Sequence, residues 1–303
     1  MQAASFAVEP DAAGARLDAF LATALGVSRA EARRLLARGG VRVDGRRRGA
    51  AEKGERLGAG ARVEVEPFVP AADRRPRAEP SLALPVLAQG PGWLVVDKPT
   101  GMPVHPLHED EGGTALGFVA ARHPEVVGVG EGGLRSGVVH RLDLETSGCL
   151  AFAYREDAWQ RIRTAFRRHR MDKVYRALVV GRLEGQGELA LDMVVAQHRP
   201  ARVRVAAGGH RTALSWRALE PLRGATWIEV RPVTGFLHQI RAAFAHLGHP
   251  LAGDARYGAA EAGDPSGASR ALLHASSLSG EGVTAEAPEP EDLRAALEAL
   301  RLR

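Results

Sequence analysis

The segment HRLDLETSG, at positions 140–148, places several ionisable and hydroxyl side chains next to one another. A carboxylate such as that of Asp143 can act as a nucleophile or as a general base. The short runs Val138–His140 and Cys149–Tyr154 predict strands, so residues 141–148 are expected to form a loop between rigid elements, where catalytic groups are commonly presented. An ordinary polar surface turn would have the same composition, so the segment alone leaves both interpretations open.

Metal and dinucleotide chemistry are not supported by the sequence. The chain has one cysteine, Cys149, which excludes an internal disulfide and a cysteine-based zinc site. Its histidines form no HExxH pattern, and we therefore expect no metal site. A GxGxxG match at 128–133 opens no predicted helix, so a flexible glycine-rich loop is favoured over a dinucleotide site.

The elements that must position the loop include more strands than helices. Apolar runs at 93–96, 174–180 and 227–230 predict strands, and apolar spacing at 158–166 and 237–247 predicts helices. Many of the connections between these elements are short. The pattern favours an α+β domain with a mixed, largely antiparallel sheet and flanking helices over a doubly wound parallel sheet.

The N-terminal residues 15–66 predict a small separate unit of two helices followed by paired strands. Its second helix is expected to start at a capping box formed by Ser28 and Glu31 and to stop at Gly39-Gly40, and an Asp44-Gly45 turn follows. Residues 15–48 contain nine arginines against three acidic residues, an excess of positive charge that suits phosphate binding. The arginines of this unit that are expected to bind phosphates are Arg29, Arg33, Arg34 and Arg38.

Length and composition fit a globular protein of one large and one small domain. The chain has 303 residues with a net charge of +5, which favours a polyanionic partner. Residues 67–81 contain four prolines and three arginines, which predicts an extended linker before a large domain at 82–303. No apolar stretch approaches the ~20 residues of a membrane span, and the N-terminus lacks a secretory pattern, so we expect a cytoplasmic protein.

The segment HRLDLETSG resembles the HRLDxxTSG signature of the RluA-type pseudouridine synthases at each fixed position. Other stretches match the same family in the same order, and the resemblance covers about 240 residues, so a chance match is a poor explanation. They are ARLDAFLATALGVSRAEARRLLARGGVRVDG, which resembles the S4 RNA-binding domain, LVVDKPTGMPVHP (94–106), KVYRALVVG (173–181), TGFLHQIRAAFAHLGHPLAGDARYG (234–258) and ALLHASSL (271–278).

The resemblance implies a pseudouridine synthase fold and an enzyme that isomerises uridine to pseudouridine in RNA. This reaction breaks the N1–C1′ bond, turns the base and joins C5 to C1′ without redox change, so no cofactor is expected. By the same resemblance Asp143 is the nucleophile, Arg241 pairs with it, and Tyr175 stacks on the flipped base or removes the C5 proton. Attack on the ribose, attack on the base and a glycal intermediate stay open.

Further residues of the matching motifs are expected to contact the substrate. Arg141 would fill the gap that the flipped uridine leaves in its stack. The other expected substrate-binding residues of this domain are His140, Thr146 and His238. One motif departs from the family, which usually reads TGRTHQIR, because Phe236 and Leu237 here replace an arginine and a threonine.

Family members with an S4 unit most often act on large-subunit ribosomal RNA, so the resemblance implies a structured RNA partner of the 23S type. We expect the protein to be a monomer. A tRNA substrate is one alternative. A catalytically inactive RNA-binding assembly factor is another, although Asp143, Tyr175 and Arg241 are all present. A glycoside hydrolase would need two placed carboxylates, and nothing in the sequence marks a second acid for Asp143.

Overall fold

The protein, analysed as a computed structural model, is described here for residues 3–198, 200–260 and 262–301. Its contacts divide the chain into two compact units with the boundary between Arg75 and Pro76. The predicted linker 67–81 contains this boundary and forms neither helix nor strand. The predicted domain limits at 66 and 82 stay predictions.

The first unit contains two helices and a small antiparallel sheet whose strands follow the order β1-β4-β2-β3. Its elements are β1 (Ala4–Ala7), α1 (Leu17–Leu25), α2 (Arg29–Ala37), β2 (Val41–Val43), β3 (Arg46–Arg48) and β4 (Arg62–Val65). The strand β1 precedes the predicted start at residue 15 and pairs with β4.

The Ser28 cap and the Asp44-Gly45 turn are found in the structure, but the capping box is not complete, because the Glu31 carboxylate accepts from the Ala71 amide instead of the Ser28 amide. The Ser28 hydroxyl accepts a hydrogen bond of 3.2 Å from the Glu31 amide at the start of α2, as a helix cap does. Asp44 and Gly45 both have positive φ values, 48° and 74°, which a two-residue hairpin turn of this hand requires. The turn joins β2 to β3, and β2 also pairs with β4.

The second unit is built on one large mixed sheet with helices packed on it, which confirms the predicted α+β class. Its elements are β5 (Val86–Gly90), β6 (Trp93–Lys98), α3 (Ala115–Arg122), β7 (Ser147–Ala153), α4 (Glu156–Arg167), β8 (Asp172–Val180), β9 (Gln186–His198), β10 (Ala201–Val205), β11 (His210–Leu222), β12 (Ala225–Pro232), α5 (Gln239–His246), β13 (Leu273–Gly280), β14 (Val283–Glu286) and α6 (Glu291–Leu300).

Strand order in this sheet is β10-β9-β11-β12-β8-β13-β7-β6-β5, with β14 paired to β13. Among the strands of the described residues, β7 and β13 form the one parallel pair, and the other neighbours are antiparallel. The strand β7 is buried along its whole length. Its Leu150 and Phe152 pack with α3, and its Cys149 and Ala151 pack with α4. This central strand therefore presents the segment that precedes it on a rigid support.

Two sequence expectations were wrong in detail. Residues 138–140 are not a strand: Val138 makes an isolated bridge to Phe152, and the chain then turns away from the sheet because the His140 ring, instead of its backbone, bonds the Ala151 amide. The helix predicted from residue 237 begins at Gln239, since His238 has a left-handed φ of 49°. None of the helices in the described ranges is long and apolar enough to cross a membrane.

Candidate active site

The loop that contains Asp143 is positioned by the start of β7. Gly148 has a φ of 106°, and a Cβ atom at this position would lie 2.2 Å from the Ala275 carbonyl oxygen of β13. Only glycine permits this approach of β7 to β13, because any side chain would clash with backbone. The loop residue Asp143 is partly exposed, and its carbonyl accepts a hydrogen bond of 3.1 Å from the Thr146 amide.

A buried lysine donates a hydrogen bond to the backbone of this loop. The ammonium group of Lys98, at the end of β6, donates to the carbonyl oxygens of Leu144 (3.2 Å), Pro99 (2.9 Å) and Met102 (2.9 Å). Burial lowers the pKa of Lys98 to about 8, although the negative charge of Asp143 acts in the opposite direction. Lys98 is therefore a desolvated cation at neutral pH, a role that the sequence analysis did not assign to it.

The next carbonyl of the loop, that of Glu145, is bound by two further side chains. The Thr100 hydroxyl donates to it at 3.0 Å and the Arg270 guanidinium at 3.1 Å. Arg270 is itself oriented by two hydrogen bonds to the carboxylate of Asp292, of 2.6 and 2.8 Å. The backbone that follows Asp143 is thus fixed by hydrogen bonds from separate parts of the chain, which reduces the freedom of the carboxylate.

The end of the loop is fixed by a buried histidine. The Ser147 hydroxyl lies 3.0 Å from Nδ1 of His274, and Nε2 of the same ring lies 3.3 Å from the carbonyl oxygen of Ala287. A carbonyl can only accept, so Nε2 carries the proton and Nδ1 accepts from the serine. Burial lowers the pKa of His274, which keeps the ring neutral in this arrangement.

Several side chains lie close enough to Asp143 for its negative charge to shift their pKa values. They belong to β6, β8, α5 with its N-cap, and the loop after α5, which the fold brings to one place. These residues are Lys98, Tyr175, His238, Arg241 and Tyr257. Tyr175 and Arg241, which the resemblance names as catalytic together with Asp143, are therefore among the residues near the Asp143 carboxylate.

Tyr175 lies in the middle of the sheet, opposite Val230 of β12 and Ala275 of β13. The pKa of Tyr175 is raised above its ordinary value. Burial is the larger cause, and the charge of Asp143 is a second one. The side chain is consequently a neutral phenol at physiological pH. This protonation state suits stacking and hydrogen-bond donation better than proton removal.

Arg241 forms its shortest contacts with Asp254 instead of Asp143. Its Nε and Nη2 atoms each donate a 2.7 Å hydrogen bond to the fully buried Asp254 carboxylate, and Nη2 lies 3.0 Å from Glu145. Within the described residues, Arg241 and Asp143 form no direct ion pair. Burial opposes the charge of Arg241, but the bonds to Asp254, with the charges of Glu145 and Asp143, outweigh it and raise the pKa of Arg241.

His238 is connected to a tyrosine that the sequence analysis did not single out. The Tyr257 hydroxyl accepts a 2.8 Å hydrogen bond from the Val203 amide and lies 3.1 Å from Nδ1 of His238. Burial lowers the pKa of His238 against the opposing charge of Asp143. The ARYG stretch of a matched motif was the signal for Tyr257 in the sequence.

The other expected substrate-binding residues of this domain differ in accessibility. Arg141 is exposed and takes part in no ion pair within the described ranges. Thr146 is buried, at 3% exposure. Nε2 of His140 accepts a 3.0 Å hydrogen bond from the Ala151 amide, its ring stacks on Phe166, and burial lowers its pKa to about 3. His140 thus supports the loop, whereas Arg141 is free to meet a ligand.

In the first unit, two of the predicted RNA-binding arginines share a buried acid. Arg29 and Arg33 bind Asp18 at 3.0 and 2.8 Å while about half of each side chain remains exposed. Arg34 and Arg38 are exposed on the same helix, and the Arg38 guanidinium lies 5.7 Å from the Phe68 ring. The unit therefore presents an excess of positive charge on α2, which its internal ion pairs do not cancel.

Comparison with known proteins gives consistent matches to both units. The sequence profile described as "RNA pseudouridylate synthase" matches residues 92–246, and the profile of the S4 domain matches residues 15–53. The chain is 34% identical to an uncharacterised RNA pseudouridine synthase of Mycobacterium bovis over 98% of both chains. It is also 34% identical to the ribosomal large subunit pseudouridine synthase D of Xanthomonas campestris, over 97% of this chain and 92% of that protein.

A solved structure has the same fold as the second unit. Human RNA pseudouridylate synthase domain containing 1 superposes with a TM-score of 0.58 at 22% identity, and the match covers 73% of this chain and 91% of that one. At this level of identity the likeness concerns the fold alone. It agrees with the mixed sheet and flanking helices described above.

Proposed function

The chain belongs to the RNA pseudouridylate synthase family, and we propose that it isomerises uridines of large-subunit ribosomal RNA with Asp143 as the nucleophile. One observation supports the assignment of Asp143 most directly. Lys98 and Arg270 fix the loop that contains Asp143, and the charge of Asp143 contributes to the raised pKa values of Tyr175 and Arg241. A carboxylate in a preorganised, partly desolvated site of this kind is suited to nucleophilic catalysis.

Asp143 acts on a uridine that has left its stack. Its carboxylate either forms a bond with the ribose or the base, or removes a ribose proton, while the N1–C1′ bond breaks. The base then turns and C5 bonds to C1′, while any bond to Asp143 breaks or the ribose proton is returned. C5 loses its proton and N1 gains one, so the product is an isomer of the substrate. The Lys98 ammonium donates to the Leu144 carbonyl and so places a desolvated positive charge beside the loop of Asp143.

Tyr175 and Arg241 act beside the nucleophile. Tyr175 remains a phenol and stacks on the flipped base, with its hydroxyl as a donor to the uracil. Arg241, oriented by Asp254, supplies a fixed positive charge near the carboxylate and near the loop residue Glu145. Arg141, exposed on the same loop, occupies the gap that the flipped uridine leaves in the RNA.

The ribosomal substrate is supported by the relatives and by the first unit. The relative from Xanthomonas campestris is named ribosomal large subunit pseudouridine synthase D, and a relative from Vibrio cholerae is named ribosomal large subunit pseudouridine synthase C. The S4 domain with its arginine-rich α2 suits a large structured RNA, because positive charges bind phosphates without regard to sequence. We further propose that residues 15–66 bind RNA, that 67–81 is a linker and that catalysis resides in 82–303.

A pseudouridine map of total RNA, made with and without the gene, tests this proposal. The expected result is one or a few large-subunit positions that lose pseudouridine in the deletion and regain it with the wild-type gene but not with the Asp143→Asn gene. Loss confined to tRNA would reject the ribosomal substrate. Restoration by the Asp143→Asn gene would reject the assignment of the nucleophile.

A further inference from the structure

We propose that His210 and Phe236 form a stacking platform for a nucleobase that flanks the target uridine, an inference that rests on the function proposed above. The two rings are nearly parallel, with centroids 5.1 Å apart and 14° between their planes. His210 is exposed and Phe236 is partly exposed. The pair therefore presents an aromatic surface to solvent, with the outer face of His210 as its open side.

The platform lies on the same face of the sheet as Tyr175. Side chains alternate along β11, so His210 shares a face with Trp216, six residues further on. Trp216 lies opposite Val230, which lies opposite Tyr175. Opposed residues of antiparallel neighbours point to the same side of a sheet. His210 thus faces the side on which the nucleotide would enter.

Phe236 is close in the chain to the groups around Asp143. It precedes His238, on whose pKa Asp143 acts, by two residues, and such a segment spans at most about 7 Å. The backbone here is fixed: the Gln239 side chain accepts from the Phe236 amide at 3.1 Å and from the Thr234 hydroxyl at 2.8 Å. A nucleotide adjacent to the one over Asp143 is therefore within reach of the platform.

The chemistry of the pair suits a base more than a phosphate. When a uridine is flipped out, its neighbours lose a stacking partner, and aromatic side chains commonly replace that partner in RNA complexes. Stacking needs only the flat face that every base has. Phe236 and Leu237 stand where the family to which this chain is similar usually has arginine and threonine. Half-exposed Val233 adds apolar surface to the same segment.

The test compares variants on RNA substrates with and without the stacked base. The substrate is an RNA oligonucleotide that contains the uridine modified by the wild-type protein in a large-subunit rRNA transcript. In two further substrates the nucleotide before or after that uridine is abasic, so the phosphates remain while the base is missing. Full-length wild-type, His210→Ala, His210→Phe and Leu247→Ala proteins are compared by kcat/KM. Leu247 is the control, because it is an exposed apolar residue at the far end of α5.

The expected loss for His210→Ala on the intact RNA is about tenfold in kcat/KM, since stacking on an aromatic residue contributes roughly that factor per base. One of the abasic substrates should reduce the wild-type rate by a similar factor and should cause no further loss in His210→Ala. His210→Phe should retain wild-type activity because it keeps a flat ring, and Leu247→Ala should be unaffected.

Two results would overturn the platform. The first is an abasic penalty that is equally large for the wild-type protein and for His210→Ala at both flanking positions. The second is a His210→Phe protein as slow as His210→Ala, which would point to the imidazole itself. Absence of pseudouridine in the intact RNA with wild-type protein would instead reject the proposed function, so the two failures are distinguishable.

Discussion

Arg241 and Asp254 form a buried, two-bond ion pair, with both N–O distances at 2.7 Å and exposures of 3% and 0%. The pair fixes the guanidinium at the side of the site where the charge of Asp143 acts on it. The arginine that the sequence motif marks for catalysis is therefore positioned by an acid that lies thirteen residues further along the chain.

Separate replacement of the two partners should destabilise the protein more than joint replacement. Arg241→Met should lower the free energy of unfolding by about 3 kcal/mol, because it leaves the buried Asp254 carboxylate without its cation. Asp254→Leu should lower it by less, because the Glu145 carboxylate still lies 3.0 Å from the guanidinium. The double variant should recover at least half of the loss of Arg241→Met in urea unfolding and yet remain inactive, since the cation near Asp143 is gone. An active double variant would show that Arg241 serves stability alone.

Asp143→Asn should abolish isomerisation and leave RNA affinity within a few-fold. The change keeps the shape of the side chain but removes the nucleophile, and such losses cost several orders of magnitude in rate. Tritium release from RNA labelled at uridine C5 measures it. Asp157→Asn, at an exposed acid of α4, is the matched control and should keep most of the activity. A rate above about a hundredth of wild type for Asp143→Asn would remove Asp143 from this role.

Tyr175→Phe should bind RNA as the wild-type protein does but form pseudouridine more slowly. The ring for stacking is kept and the hydroxyl is lost, whereas Tyr175→Ala should also weaken binding. Because burial and Asp143 raise the pKa of Tyr175, the hydroxyl does not ionise near neutral pH, and the pH–rate profiles of the wild-type and Phe proteins should have the same shape. A pH-dependent change of rate that is present in the wild-type protein and absent in Tyr175→Phe would show that Tyr175 ionises during catalysis.

The rate should fall as the pH rises through about 8, where Lys98 loses its proton. Below this pH the ammonium donates to the carbonyl oxygens of Pro99, Met102 and Leu144, and above it the neutral amine has only two N–H donors, so the backbone that follows Asp143 is fixed less firmly. In Lys98→Met the remaining, lower activity should not change over the same range. Lys173→Met is the matched control, because burial also lowers the pKa of Lys173 to about 8. The pH–rate profile of Lys173→Met should still fall near pH 8. Loss of this fall in Lys173→Met would contradict the assignment to Lys98.

Replacement of Arg34 and Arg38 by alanine should weaken RNA binding and make it less dependent on salt. Each lost phosphate contact should lower the slope of log affinity against log salt by about one unit. Binding to large-subunit rRNA fragments at several salt concentrations measures this slope. Arg182→Ala is the control, since Arg182 is an exposed arginine of the second unit. An unchanged slope in the double variant would leave α2 without a role in phosphate binding.

Local sequence patterns determined much of what the structure contains. The helix cap at Ser28, the turn at Asp44-Gly45 and the α+β class follow from backbone preferences and hydrophobic periodicity, which act over short distances along the chain. The motif series identified the family because its residues are fixed in type and order. These features need no knowledge of which segments meet in space.

The partners of the catalytic candidates were decided by tertiary structure. Sequence suggested a direct pair of Arg241 with Asp143, but the fold places Asp254 against the guanidinium instead. Lys98 ends an apolar strand in the sequence, and only the folded chain buries its charge beneath the loop of Asp143. Hydrogen bonds and Coulomb interactions depend on separations of a few ångströms between residues far apart in sequence. Those separations are set by how strands and helices pack, which no local pattern specifies.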